Sequence, residues 1–405
     1  MIHTTKQWKA YLLVCVALLL SSCSGGQTVG THAKASPTTT MSPPTPTPFT
    51  VNLTPLSMQQ AWGNIKINQF SLDLGDRYFA PTGSEFDGIT DDGQVCGETF
   101  AMRSPSEADA SKDVESVGFM DLHTGHISLF ATMPAGYFQM ACTVTGSWVI
   151  WMQTSGTTFE SYASHWVIKA YNRQTGKTIQ LDQGHGPSAN QPYASIQPEP
   201  DASNGRVVWT TYSQDTPGKT QSEMYSFATG KKSVLAPLTG GPRISWPWVS
   251  WGDGDASAIV FENLETGQQV RLPMSYAPTT VAFAGTSYVY TNSDYSQVTL
   301  VPSILAQPIG SYVIEDRQTD GSTFDEFPTM NDRLITWTGP NAWLVFDRKL
   351  QRPVKIAIGV NGLSGCISSH YLVATPNLTQ ADMDAQHHGL PYHHVMVVID
   401  TNTLP

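Results

Sequence analysis

The stretch Gly146-Ser-Trp-Val-Ile-Trp-Met-Gln-Thr-Ser-Gly156 centres on Trp148-Val-Ile-Trp151, two β-branched residues bracketed by tryptophans. The same four-residue pattern returns at Arg206-Val-Val-Trp209, Trp248-Val-Ser-Trp251, Ser287-Tyr-Val-Tyr290 and Leu334-Ile-Thr-Trp337. Looser versions stand at Gln94-Val-Cys-Gly97 and Tyr371-Leu-Val-Ala374, which makes seven copies. Nine residues before the closing position stands Pro200, Pro242 or Pro328 in three copies, and Cys142 in the copy around Trp148. A second signature trails the first four copies: Thr124-Gly125, Thr175-Gly176, Thr229-Gly230 and Thr266-Gly267 each lie where two extended runs meet. Glycine there supplies the positive φ that a tight hairpin or its bulge requires. The later copies degrade, to FDRKLQRPVKI from Phe346 and VVIDTNTLP from Val397.

Alternating β-branched and aromatic residues, with no amphipathic helix from Asn64 onward, predict an all-β chain. Repeats of roughly 40 to 55 residues, each with about four short strands, predict a β-propeller. The copy number predicts seven blades. The tryptophans then alternate faces with the central pair and pack one blade against the next. The last copy leaves no room for a fourth strand, so another segment must pair with that edge. The extended stretch at residues 64–74, NIKINQFSLDL, lies ahead of the first blade and is the candidate to close the ring.

The combination of proline, the Val-Val-Trp core and a following Tyr-x-x-x-Thr-Gly resembles the TolB-like, WD40-like bacterial propeller repeats over most of residues 70–405. That resemblance implies a propeller, with six blades as the rule, and says little about activity. TolB carries a separate N-terminal domain that has no counterpart here, so a role in the Tol system is not implied.

The first 22 residues carry only Lys6 and Lys9 as charges, ahead of the apolar run Tyr11 to Leu20, and read as a signal peptide too short for a stable span. Leu20-Ser-Ser-Cys23 resembles the bacterial lipoprotein signal, which implies that Cys23 is diacylated and that the protein is held at the cell membrane, facing the extracytoplasmic side. Residues 23–50, rich in Ser, Thr, Gly and Pro, read as a linker. About 25 such residues at about 3 Å each reach roughly 75 Å. Residues 51–405 form the propeller domain. Without the leader, 20 Lys+Arg face 33 Asp+Glu, which excludes nucleic acid and anionic lipid head groups as expected partners. Cys96, Cys142 and Cys366 allow at most one disulfide and leave at least one thiol, and no Cys-x-x-Cys pair is present.

In such blades the Asn204-Gly205 and Thr-Gly turns fall on one rim, while the second-to-third-strand and inter-blade connections fall on the other. The second set varies in length and is the expected binding rim. Tyr137, Phe138 and Tyr193 are its aromatic candidates, with Trp246 a candidate sugar-stacking surface beside a structural role between blades. DMDAQHHGLPYHH places His387, His388, His393 and His394 in one segment, and with His185 these are candidate ligands for a transition metal such as zinc. Adjacent histidines in an extended segment point oppositely, so at most one of each pair would share a site, and a solvated loop is the simpler reading. Asp253, Asp255, Asp316, Asp320, Asp325 and Glu326 lack an EF-hand's order and read as turn residues. Three functions are compatible with these features: a non-catalytic module that binds a protein or glycan, a metal-dependent polysaccharide hydrolase or lyase, and a structural accessory of an envelope complex. Among TolB-like propellers, some are lyases with metal-binding histidines.

Overall fold

The computed structural model describes residues 39–40, 55–81, 89–90, 92–101, 114–155, 165–184, 198–213, 215–216, 219–237, 239–253, 258–273, 281–291, 297–301, 303–305, 312–315, 329–339, 342–356, 363–368, 370–376 and 395–405. All of them belong to one compact unit, Thr38–Pro405.

The chain forms a seven-bladed β-propeller. Blade 1 takes Arg77–Pro81, Gln94–Ala101, Ser116–Asp121 and Ile127–Thr132. Blade 2 takes Tyr137–Thr145, Trp148–Ser155, Trp166–Asn172 and Thr178–Gln183. Blade 3 takes Asp201–Ser203, Arg206–Tyr212, Thr220–Ser226 and Lys231–Pro237. Blade 4 takes Gly240–Ser245, Trp248–Gly252, Ala258–Asn263 and Gln269–Pro273. Blade 5 takes Val281–Ala284, Ser287–Thr291, Gln297–Val301 and Tyr312–Glu315. Blade 6 takes Thr329–Met330, Leu334–Gly339, Ala342–Asp347 and Arg352–Ile356. Blade 7 takes Leu363–Ile367, Tyr371–Pro376, Val395–Asp400 and, as its fourth strand, Ile67–Ser71.

Each of the seven sequence copies opens a second strand, which is why the copy number equals the blade number rather than the six implied by the resemblance. First strands of blades 2 to 7 lie side by side in order, which places them innermost. The recurring proline falls on this axis-side edge, where the missing N–H leaves no ladder partner unmet: Pro200 precedes the first strand of blade 3, and Pro242 sits where the register shifts in blade 4.

The tryptophan bracket works as its alternation predicts. Trp148 stacks on Phe227 of blade 3 at 4.3 Å, and Ile150 and Met152 share that core. Val149 and Trp151 turn to the other face and join Val117 of blade 1. Trp248 and Trp251 divide between blades 5 and 3 in the same way. Each of the seven blade interfaces has its own apolar cluster. Gly97 stands where five other copies close on Trp or Tyr, because a Cβ there would overlap the Ala80 carbonyl.

Closure follows the predicted route. Ile67–Ser71 pairs antiparallel with the last strand, Ile67 opposite Ile399 and Ser71 opposite Val395. Ahead of it, Leu56–Ser57 runs parallel to the outer strand of blade 6, and Met58–Trp62 forms a one-turn helix with a Ser57/Gln60 capping box. Trp62 is buried in the core between blades 6 and 7, where its indole N–H donates to Asp347 Oδ2 at 2.9 Å. Thr39–Thr40, inside the stretch read as linker, runs parallel to the outer strand of blade 4. Cys96 and Cys142 form a disulfide that joins the second strand of blade 1 to the first strand of blade 2.

Candidate functional site

The two rims differ in construction. On the hairpin rim, the first-to-second-strand turn of every blade accepts one backbone bond from the segment that follows the third strand: Leu122, Arg173, Phe227, Leu264, Ile304, Arg348 and Thr401 donate to Gly93, Ser147, Gly205, Pro247, Thr286, Arg333 and His370 at 2.7–3.0 Å. Asp121, Asn172, Asn263 and Asp347 each accept two further backbone N–H groups inside their turns, the Asx-turn geometry. Turns of neighbouring blades are also linked. Thr145 Oγ1 accepts from the Gly205 N–H, Ser203 Oγ from that of Trp246, and Ser245 Oγ from that of Gly285. Arg173 reaches back to Asp92 and Gln94, and Arg348 to Ser287. The Tyr371 hydroxyl lies 3.2 Å from His123 Nε2, and burial, together with Asp400, Asp92 and Asp121, pushes its pKa up.

Trp246 belongs to this hairpin rim, because it lies in the first-to-second-strand turn of blade 4. It is half-buried, and the Arg206 guanidinium covers its ring at 3.6 Å. It therefore does not share a rim with Tyr137.

The opposite rim carries the second-to-third-strand connections. These range from residues 340–341 in blade 6 to residues 377–394 in blade 7, with 102–115 and 156–165 in blades 1 and 2. Tyr137 opens the innermost strand of blade 2 at this rim, half-buried, with its side chain against the core between blades 1 and 2. Several carboxylates at strand ends here are ion-paired: Glu115 with Arg77 at 3.2 Å, Glu199 with Arg243 at 3.1 Å, and Asp253 with Arg271. Asp253 thus serves blade 4 rather than a cation.

His185, Tyr193, His387, His388, His393, His394 and Cys23 lie outside the described residues, as do Asp255, Asp316, Asp320, Asp325 and Glu326. Phe138 is in the first strand of blade 2, but its side chain is outside the description. Among the described residues no group of three His, Cys, Asp or Glu side chains is placed to hold a metal.

Two arrangements escaped the sequence reading. Between blades 2 and 3, Lys232 Nζ lies 3.1 Å from Asp182 and 2.9 Å from Glu223, both carboxylates buried, and Trp209 donates to Asp182. Burial alone would lower the Lys232 pKa, but the bonds and charges of Glu223 and Asp182 outweigh it and raise the value. The second is a cleft between blades 5 and 6 on the hairpin rim, about 520 Å³ in volume. The one signal available in sequence was the repetition of Asn172-Arg173 as Asp347-Arg348.

No family model matches the chain, and no curated protein does. Similar solved structures include oligogalacturonate lyase from Vibrio parahaemolyticus, 9% identical with a TM-score of 0.51, covering 83% of this chain and 97% of that one. The WD40 repeats of RRP9 are 10% identical with a TM-score of 0.48, over 83% of this chain and 100% of theirs. TolB from Acinetobacter baumannii is 14% identical with a TM-score of 0.34, over 52% of this chain and 49% of its own. The chain thus spans about half the length of that TolB. At these identities the likeness is one of fold, the β-propeller.

Proposed function

We propose that this chain is a lipoprotein tethered by Cys23 to the extracytoplasmic face of the cell membrane, and that its propeller binds a protein or glycan without turnover. The observation that carries the reading is the contrast between rims. On one rim the first-to-second-strand turn of every blade accepts a backbone bond from the segment that follows the third strand, whereas the other presents second-to-third-strand connections of very different length on the same scaffold. Binding surfaces arise where variable loops are held by invariant strands. Tethering predicts that Cys23→Ala moves the protein from the membrane to the soluble fraction and removes the diacyl mass. Rim binding predicts that a glycan array or cross-linking in cells finds a ligand whose capture is lost when residues 156–164 are replaced by Gly and Ser. Capture that survives this replacement and an equivalent one at 102–113 would rule the rim out.

A metal-dependent hydrolase or lyase is the second reading. Its support is that the connections containing His185 and His387 to His394 both join strand ends at the long-connection rim. Metal analysis of protein prepared without a histidine tag, against the double variant His387→Ala, His393→Ala, separates the two. Near-stoichiometric zinc lost in the variant favours the enzyme. A stoichiometric protein partner without either property favours the envelope accessory.

A further inference from the structure

The N-terminal segment follows the outside of the ring before it closes it. Thr39–Thr40 adds a parallel fifth strand to blade 4, Thr39 opposite Val270 and Thr40 opposite Arg271. Leu56–Ser57 adds one to blade 6, Leu56 opposite Val354 and Ser57 opposite Lys355. Ile67–Ser71 then completes blade 7, so the chain meets these blades in the order of the ring. Among the described residues no other blade carries a fifth strand. The outer strand of a blade is an open edge whose unpaired N–H and C=O groups accept an added strand. Proline limits where this happens, because it has no N–H to give to a ladder. Pro37 precedes Thr39–Thr40, Pro43, Pro44, Pro46 and Pro48 follow it, and Pro55 precedes Leu56. Each added strand thus occupies residues free of proline.

The first of these pairings bears on the tether. The compact unit begins at Thr38, so the chain departs from the propeller at the outer edge of blade 4 rather than at residue 51. From Cys23 to Thr39, at about 3 Å per residue, it reaches roughly 50 Å, instead of the roughly 75 Å of a linker free up to residue 50. In a ring of seven, the junction of blades 7 and 1 lies opposite blade 4. Those two blades also carry the longest second-to-third-strand connections, residues 377–394 and 102–115, against 253–257 in blade 4. The edge that receives the tether and the blades with the longest connections therefore stand on opposite sides of the ring.

We infer that the propeller stands on the membrane by its blade 4 edge, held there by the strand Thr39–Thr40, with blades 7 and 1 directed away from the bilayer. Their long connections then meet partners outside the tethering membrane rather than components within it. Strand docking stands on the pairing alone, whereas the orientation rests on the lipid anchor proposed at Cys23. Hydrogen exchange on the full chain tests docking. Deleting residues 30–42 removes the added strand and leaves the proline run in its place. Exchange across residues 269–273 should then rise severalfold, while residues 178–183, the outer strand of blade 2, and the melting temperature hold. Unchanged exchange across 269–273 would overturn docking. Orientation is read with the lipidated chain in phosphatidylcholine vesicles, by energy transfer to a head-group acceptor from a dye placed through an azide side chain at Thr266 or at Thr124. These are equivalent, exposed turn positions of blades 4 and 1. Transfer should be stronger from Thr266, and the deletion should shrink the difference, because the tether then starts at blade 6. Equal transfer, or stronger transfer from Thr124, would overturn the orientation. Transfer from neither position shows that no tether exists, which sinks the anchor and the orientation together and leaves docking to be decided by the exchange result.

Discussion

At position 351 the repeat departs from its own rule. Gly125, Gly176, Gly230 and Gly267 take φ between 67° and 75° at the end of their turns, and the sixth blade places Gln351 there at φ 53°. An L-residue with a Cβ costs roughly 1–2 kcal/mol in this region, part of which glycine returns through its freer unfolded chain. Gln351→Gly should therefore stabilise the protein by about 0.5–1 kcal/mol in urea unfolding. A destabilised variant would mean that the strain is relieved by contacts of the Gln351 side chain. The Thr-Gly signature made this turn legible, because the turn is local and its geometry is dictated by one residue's φ. The covering of Trp246 by Arg206 was not legible. The two belong to different blades, and only the ring brings them within 3.6 Å.

Strands were readable as elements for the same reason. Each second strand starts where a four-residue copy starts, since alternation of period two is a property of the segment itself. The closing strand was also legible, because an unfilled edge must be paired. Deletion of residues 64–74 should remove the fourth strand of blade 7 and with it cooperative thermal unfolding; an unchanged melting temperature would show that the ring does not depend on this closure. Pairing of Cys96 with Cys142 needed the structure. Opening this link, with its sequence separation of 46 residues, should cost about 4 kcal/mol by loop-closure entropy, seen as a lower denaturant midpoint for the double Cys→Ala variant. Thr39–Thr40 and Leu56–Ser57 were not legible as strands, since two residues carry no periodicity and their partners stand more than two hundred residues away.

For the whole molecule, charged groups set the pH range of stability. For Asp92 and Asp121, burial raises the pKa, but their hydrogen bonds, with Arg173 aiding Asp92, outweigh it and hold both below the ordinary 3.8. Their contribution is present above that value and is lost as pH falls through the folded pKa. Lys232 is raised above 10.5, so its contribution is present below that value and is lost as pH rises through the folded pKa. Burial raises Tyr288, Tyr290 and Tyr371 above 10.0, and they weaken the fold from that pH upward. The urea midpoint should be flat near neutrality and fall below about pH 4 and above about pH 10. Lys232→Met should diminish the part of the alkaline fall that sets in above about pH 10.5 and leave the part due to the tyrosines; an identical alkaline profile would contradict the role of its pair with Asp182 and Glu223. By itself the sequence determined the all-β class, the seven blades and the segment that closes them, because alternation, turn glycines and copy number are written along the chain. Only the tertiary structure decided which cysteines pair, which rim Trp246 occupies, and that Lys232 of blade 3 meets Asp182 of blade 2. Those depend on which side chain of one blade meets which turn of the next, and the ring, rather than chain proximity, sets that encounter.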